Sequence, residues 1–206
     1  MTAAPTEFLL ARHGASAHTV QRRFAGCTGA DPELSALGRS QAEALAAVLG
    51  GTGLTAVISS PVRRAHQTAS VVGAVLGLAV QVEPDLREVD FGRWEGLTLA
   101  EVEARWAPEL AAWRADADLA PPGGESVRSV AQRVQPVADR LTEQHRGGRV
   151  LVVSHLYPVR LWVLHAVAGP AVAVHRMRYE PTALSEVHHL ADGPVLLRYN
   201  DSSHLS

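Results

Sequence analysis

Four short stretches of this 206-residue chain carry side chains suited to chemistry on an anion. The apolar run Phe8-Leu9-Leu10-Ala11 ends in Arg12-His13-Gly14. A guanidinium grips an anion while the neighbouring imidazole reacts, and the glycine lets the backbone approach a ligand. Ser59-Ser60-Pro61 leads to Arg63-Arg64, and the apolar run from Arg149 to Val153 leads to Ser154-His155. Leu86-Arg87-Glu88-Val89-Asp90 adds carboxylates. Two histidines, several arginines and a carboxylate point to phosphoryl transfer. A neutral imidazole is a good nucleophile near pH 7 and can carry a phosphoryl group covalently. Positioned cations stabilise the charge spread over the outer oxygens of the transferring group, a task metals often take. Cations around His13 also disfavour imidazolium, which keeps the attacking nitrogen unprotonated. Glu88 or Asp90 could protonate the leaving oxygen and then activate water. The residue pattern alone does not separate the two.

These residues need a scaffold that brings them to one rim. Phe8–Ala11, Ala56–Ser59, Ala79–Val82 and Arg149–Val153 read as strands. Ser35 is an expected N-cap for a helix burying Ala42, Leu45, Ala46 and Leu49, stopped by Gly50-Gly51. Pro61 is expected to open a helix with a buried stripe of Ala65, Ala69, Val72 and Leu76. Thr98–Trp113 reads as helical, with Leu99, Val102 and Trp106 on one side and Pro108 interrupting it. Ser126 caps another helix, with Val127, Val130, Val134 and Leu141 in register, and Pro136 predicts a kink or break. Tyr157–Ala168 reads as a helix, and Ala183–His188 and Val195–Tyr199 as late strands. Alternating strands and helices imply an α/β fold with a largely parallel sheet, whose ligands sit at the carboxyl ends of the strands. Three strand ends then deliver Arg12-His13, Arg63-Arg64 and His155 to the same edge.

Taken together, these segments resemble the histidine phosphatase superfamily, with its phosphoglycerate-mutase-like fold, over nearly the whole chain from Phe8 to about Leu205. The likeness is nearest to the bacterial acid phosphatase and α-ribazole phosphatase branch. It is carried by Arg12-His13-Gly14, by Arg23 and Gly26, and by Leu34-Ser35 with Gly38 and Gln41. Ser59-Ser60-Pro61 with Arg64-Ala65 and Thr68-Ala69 continues it, as do Leu86-Arg87-Glu88, Gly92 and Trp94-Glu95-Gly96. Pro122-Gly123-Gly124-Glu125-Ser126 and Val152-Val153-Ser154-His155 complete it. The resemblance implies a three-layer α/β sandwich with a mostly parallel central sheet flanked by helices. It implies one domain over residues 1–206, with a small helical cap insertion at about 89–125. It makes His13 the phosphorylated histidine, His155 the second site histidine, and Arg12 and Arg64 phosphate ligands. It selects Glu88 over Asp90 as the acid and base. Arg23, Ser16, Thr19 and the Leu156 amide are further expected phosphate contacts. The chain departs from the family at Ala15-Ser16, where Glu-Thr is usual. It departs again at Thr19, which replaces an asparagine, and at Leu156, which replaces a glycine.

The activity so implied is a metal-independent phosphomonoesterase acting on a small phosphorylated metabolite, with no cofactor. The rival readings are a phosphoglycerate-type mutase and a catalytically weak binding or regulatory module on the same fold. The ten histidines show no HExxH or Cys/His ligand spacing. The formal net charge of −2 gives no field for nucleic acid or membrane surfaces. All 19 basic residues are arginine, a bias that the Ala-, Val- and Gly-rich composition ascribes mostly to GC-rich coding. One cysteine, Cys27, excludes an internal disulfide and reads as a plain loop thiol. The start lacks a signal-peptide pattern, so a cytoplasmic location is expected, and a homodimer is left open. Trp94, Trp106 and Trp113 read as core packing with one of them at the pocket, and Glu125 as part of a helix-entry turn or a substrate contact.

Overall fold

The computed structural model describes residues 4–205. The strands are β1 (Thr6–Arg12), β2 (Ala56–Ser59), β3 (Val80–Val82), β4 (Arg149–Ser154), β5 (Leu184–Leu190) and β6 (Gly193–Asp201). The helices are α1 (Ala17–Val20), α2 (Ala36–Leu49), α3 (Arg63–Leu76), α4 (Leu99–Ala115), α5 (Val127–Gln144) and α6 (Leu156–Ala166). One six-stranded sheet runs β3-β2-β4-β1-β5-β6. Its first four strands are parallel, while β5 and β6 join in antiparallel fashion. The mostly parallel α/β sandwich expected from the sequence is therefore present.

The central strands read as unbroken apolar runs because both faces of the sheet are covered. Phe8, Leu10, Ile58, Val150 and Val152 enter one core with Val130 and Val134 of α5 and Val159 and Trp162 of α6. Leu9, Ala11, Val57, Leu151 and Val153 enter the other with Leu45 and Leu49 of α2 and Ala65, Ala69 and Val72 of α3. Each fully buried Val, Leu, Ile or Phe contributes roughly 1.5–3 kcal/mol. Neighbours β1 and β4 pair in register up to Arg12 and Ser154, so their reactive ends emerge side by side.

Several expected boundaries shift for local reasons. Pro61 lies in the turn before α3, which starts at Arg63; its N-cap Val62 offers no side-chain acceptor. The Arg63 N–H instead donates to both oxygens of Asp31 at 3.2 Å, so a distant loop caps this helix. Leu76 is only half-buried. α4 is two pieces: Trp106 leaves helical geometry (φ −141°, ψ 38°) two residues before Pro108. Leu99 is 39% exposed and does not join the core. Contrary to expectation, α5 continues unbroken through Pro136. A close approach explains Gly38: a Cβ there would lie 2.0 Å from the Ala15 carbonyl oxygen, so α2 presses backbone-to-backbone against the loop after His13.

Candidate active site

The loop after β1 is held from behind. The His13 N–H donates to the Ser154 carbonyl at 2.9 Å, extending the β1–β4 pairing by one residue. Gly14 N–H donates to Thr68 Oγ1 at 3.0 Å and Ala15 N–H to Gln41 Oε1 at 2.9 Å. His13 itself is buried, 3% exposed. Its Nδ1 lies 2.7 Å from the Gly14 carbonyl, which only accepts, and its Nε2 lies 3.1 Å from Arg64 Nε, which only donates. One neutral tautomer satisfies both: the proton sits on Nδ1 and the Nε2 lone pair faces the guanidinium. A second proton on Nε2 would point at the Arg64 N–H. Burial first, then Arg64 and Arg12, hold the His13 pKa well below its ordinary 6.5.

Arg64, in the first turn of α3, has a fully buried side chain. Its Nη2 donates to the Ala25 and Gly26 carbonyls at 2.8 and 3.0 Å. Its Nη1 has no hydrogen-bond acceptor, with Asp31 at 3.9 Å. Arg12 donates through Nη1 to the Tyr179 carbonyl at 3.1 Å and keeps an unsatisfied Nε. Burial lowers its pKa to about 10, so it remains a cation at neutral pH. The His155 ring sits 5.1 Å from that of His13, tilted by 58°. His155 Nε2 contacts Ser60 Oγ at 2.8 Å, its Nδ1 has no partner, and burial followed by Arg64 lowers its pKa strongly.

Glu88 faces the same cleft and is 4% exposed. Its Oε1 accepts from Val89 N–H at 3.0 Å and Tyr157 N–H at 3.2 Å, and its Oε2 from Leu156 N–H at 3.0 Å. It thus sits on the N-terminus of α6. Burial raises its pKa above 4.5 despite these donors and despite Arg64 and Arg12. The Leu156 amide, expected to face phosphate, is spent on Glu88 in this state. The other sequence candidate, Asp90, instead accepts from Thr28 Oγ1 at 2.7 Å and Gly92 N–H at 2.8 Å and does not line the cleft.

The cleft, about 290 Å³, is lined by Arg12, His13, Thr19, Arg23, Glu88 and Leu156 among others, and Arg64 and His155 lie against His13. Ser16 does not line it: its buried hydroxyl accepts from Thr19 N–H at 3.4 Å and contacts Thr19 Oγ1 at 3.2 Å, capping α1. Arg23 bonds the Gly96 carbonyl at 2.8 Å, Gln21 at 2.9 Å and Glu101 at 3.4 Å. Trp113 forms part of the wall, while Trp94 is core. The Cys27 thiol is half-buried, and burial and Asp90 raise its pKa, the opposite of an activated thiolate.

The supports of Glu88 include a residue that the sequence reading missed. Arg133, 9% exposed on α5, donates through Nε and Nη2 to the two oxygens of Glu125 at 2.9 Å each. It also donates to the carbonyls of Asp85 (2.6 Å), Arg87 (2.8 Å) and Glu88 (3.1 Å). Glu125 is thereby a helix-entry ion pair and does not line the cleft. The signal was available: Arg133 falls on the Val130–Val134–Val137 face, where a charge requires a partner. Among the described residues, Glu7, Glu186 and His188 are close enough together to hold a cation. Arg149 already pairs with Glu7 at 2.9 Å and Glu186 at 3.2 Å, and Glu7 lies about 16 Å before Arg12 along β1.

The family model of the histidine phosphatase superfamily (branch 1) matches residues 8–202. The chain belongs to this superfamily. It is 40% identical over 196 residues to bifunctional protein Rv2228c of Mycobacterium tuberculosis, covering 94% of this chain and 53% of that protein. The chain thus spans about half the length of the first curated relatives it matches. The solved mycobacterial glucosyl-3-phosphoglycerate phosphatase Rv2419c in complex with VO3 superposes with TM-score 0.87 at 32% identity, covering 95% of this chain and 99% of that one. A putative α-ribazole-5′-phosphate phosphatase from Escherichia coli superposes with TM-score 0.85 at 30% identity, covering 95% and 96%. No helix among the described residues is long and apolar enough to cross a membrane.

Proposed function

We propose that the chain hydrolyses small phosphate monoesters through a phosphohistidine on His13. The observation that carries this reading is the contact set of His13, which leaves Nε2 unprotonated against the buried Arg64 guanidinium and beside His155. The Nε2 lone pair attacks phosphorus as the ester P–O bond breaks, and Glu88 gives its proton to the leaving oxygen. Water then loses a proton to the Glu88 carboxylate, its oxygen bonds phosphorus, and the P–N pair returns to Nε2. Arg12, Arg64 and His155 carry the charge of the outer oxygens, with Arg23 and Thr19 as helpers, while the Leu156 amide holds Glu88. Guanidiniums take the place a metal ion often fills, so turnover should survive dialysis against a chelator. Ser16 acts at one remove by anchoring Thr19.

Rapid quench of turnover into alkali, which preserves phosphoramidates, should trap radiolabelled phosphate on the protein, and digestion should map it to His13. Quantitative return of label only as free phosphate, with no adduct at any time, would reject the covalent route. The same reactions read by isomer analysis on 3-phosphoglycerate distinguish hydrolysis from a mutase. Glu88 depends on a well-held loop, so Arg133→Met should act on both stability and rate. Removing the bidentate partner of Glu125, which keeps only Arg87 at 3.9 Å and the Asp90 N–H at 3.5 Å, and leaving three carbonyls without their donor is expected to cost about 3 kcal/mol. Differential scanning calorimetry should show the lower Tm, and kcat should fall more than KM changes.

A further inference from the structure

The phosphoryl half of the cleft leaves other cations unused. Five arginines line the cleft: Arg12, Arg22, Arg23, Arg114 and Arg160, against a single carboxylate, Glu88. Arg12 and buried Arg64 match a phosphate dianion, and Arg23 has Glu101. Arg160 is the anomaly. It is 9% exposed, has no carboxylate within salt-bridge distance among the described residues, donates Nη1 to the Val174 carbonyl at a long 3.3 Å, hydrogen-bonds the neutral Tyr199 hydroxyl, and has an unsatisfied Nε. A buried cation without an anion is costly unless a partner arrives. Arg114, at the end of α4, has only Glu103 as an ion-pair partner among the described residues, at 3.8 Å, and is 45% exposed.

The two guanidiniums share a neighbourhood. Both depress the pKa of His175, which burial foremost and then Arg114 lower to about 4, and both act on Tyr157. Trp113 packs edge-on to His175 with ring centroids 4.5 Å apart, and Tyr157 lies 5.9 Å from His175. Arg160 follows Leu156 by one helical turn on the same face of α6, about 6 Å along the axis. Leu156 marks the phosphoryl end, so this second charged patch lies one short carbon spacer away.

Resting on the phosphatase reading, we propose that Arg114 and Arg160 form a second anion subsite that receives a carboxylate on the leaving group. The substrate class is then a phosphorylated hydroxy or amino acid, free or carrying a further substituent toward the cleft mouth. A planar, two-oxygen anion suits the case because part of the Arg160 fork is already committed to Val174.

The test uses matched esters that differ by one carboxylate: phosphoserine against phosphoethanolamine, and 3-phosphoglycerate against glycerol 3-phosphate. A charge-assisted contact predicts kcat/KM about 10- to 100-fold higher for the carboxylate member of each pair. Arg114→Gln should shrink that ratio about tenfold. Equal kcat/KM within the pairs, or an equal loss for both members in Arg114→Gln, would overturn the subsite. A preference for glycerol bisphosphate over 3-phosphoglycerate would overturn the carboxylate assignment. Calorimetric binding of the same pairs to His13→Ala separates the two readings. Preferential binding of the carboxylate esters without turnover by the parent enzyme supports the subsite and rejects the phosphatase reading. Turnover without preferential binding does the reverse, and absence of binding by either member overturns the subsite.

Discussion

His13→Ala is expected to lower kcat by about 10⁴- to 10⁶-fold, the scale of deleting a covalent nucleophile. The size follows from the surroundings. His155 is the other imidazole at the site, but its Nε2 is engaged by Ser60, which in turn accepts from the Val62 N–H. It is therefore anchored as a charge-stabilising group and does not substitute as nucleophile. Phosphate affinity should change far less, because Arg12 and Arg64, though the latter loses its Nε contact with His13, keep their bonds to the Tyr179, Ala25 and Gly26 carbonyls. Steady-state kinetics on p-nitrophenyl phosphate and competitive inhibition by inorganic phosphate measure the two effects. A variant retaining a tenth of the parent rate would show that some other group takes the phosphoryl.

Glu88→Gln is expected to cost about 10²- to 10⁴-fold on alkyl phosphates, whose leaving alkoxide needs a proton. On p-nitrophenyl phosphate, which leaves as a stable phenolate, the first step should be nearly spared while the second still lacks its base. The variant should then show a burst of p-nitrophenol and accumulate phosphohistidine; a smooth linear time course with no adduct would contradict the double role. The pH profile tests the same assignment. With ordinary values the carboxyl (4.5) would ionise before the imidazole (6.5) lost its proton, and few molecules would hold both in the required form. The folded protein moves them toward each other: the carboxyl upward by burial, the imidazole downward by burial and then Arg64. The nucleophile is therefore ready above its depressed pKa, and the acid is lost as pH rises through the raised carboxyl value. For an alkyl ester, kcat/KM should be highest on the acid side of neutrality and decline as pH rises, and Glu88→Gln should abolish that decline.

Much of this was legible in the chain. The apolar runs of β1 and β4 suited buried strands, and in a parallel sheet their polar ends meet at one rim. Motif order placed Arg12, His13, Arg64, Glu88 and His155 before any contact was known. The pattern alone could not choose between Glu88 and Asp90; the structure puts Glu88 in the cleft and turns Asp90 to Thr28 and Gly92. Reading Pro61 as a first-turn proline also misplaced the start of α3, because its cap is Asp31, more than thirty residues upstream.

The sequence by itself determined the sheet, the rim and which candidate groups reach it, because strand burial and side-chain type are local properties. Tertiary structure alone decided the His13 tautomer, the engagement of the Leu156 amide by Glu88, the Arg133–Glu125 clamp and the burial of Arg160 with no carboxylate beside it among the described residues. Each of these depends on which distant backbone carbonyl or charge lies within about 3 Å, and hydrogen bonding and burial at that range set the proton positions.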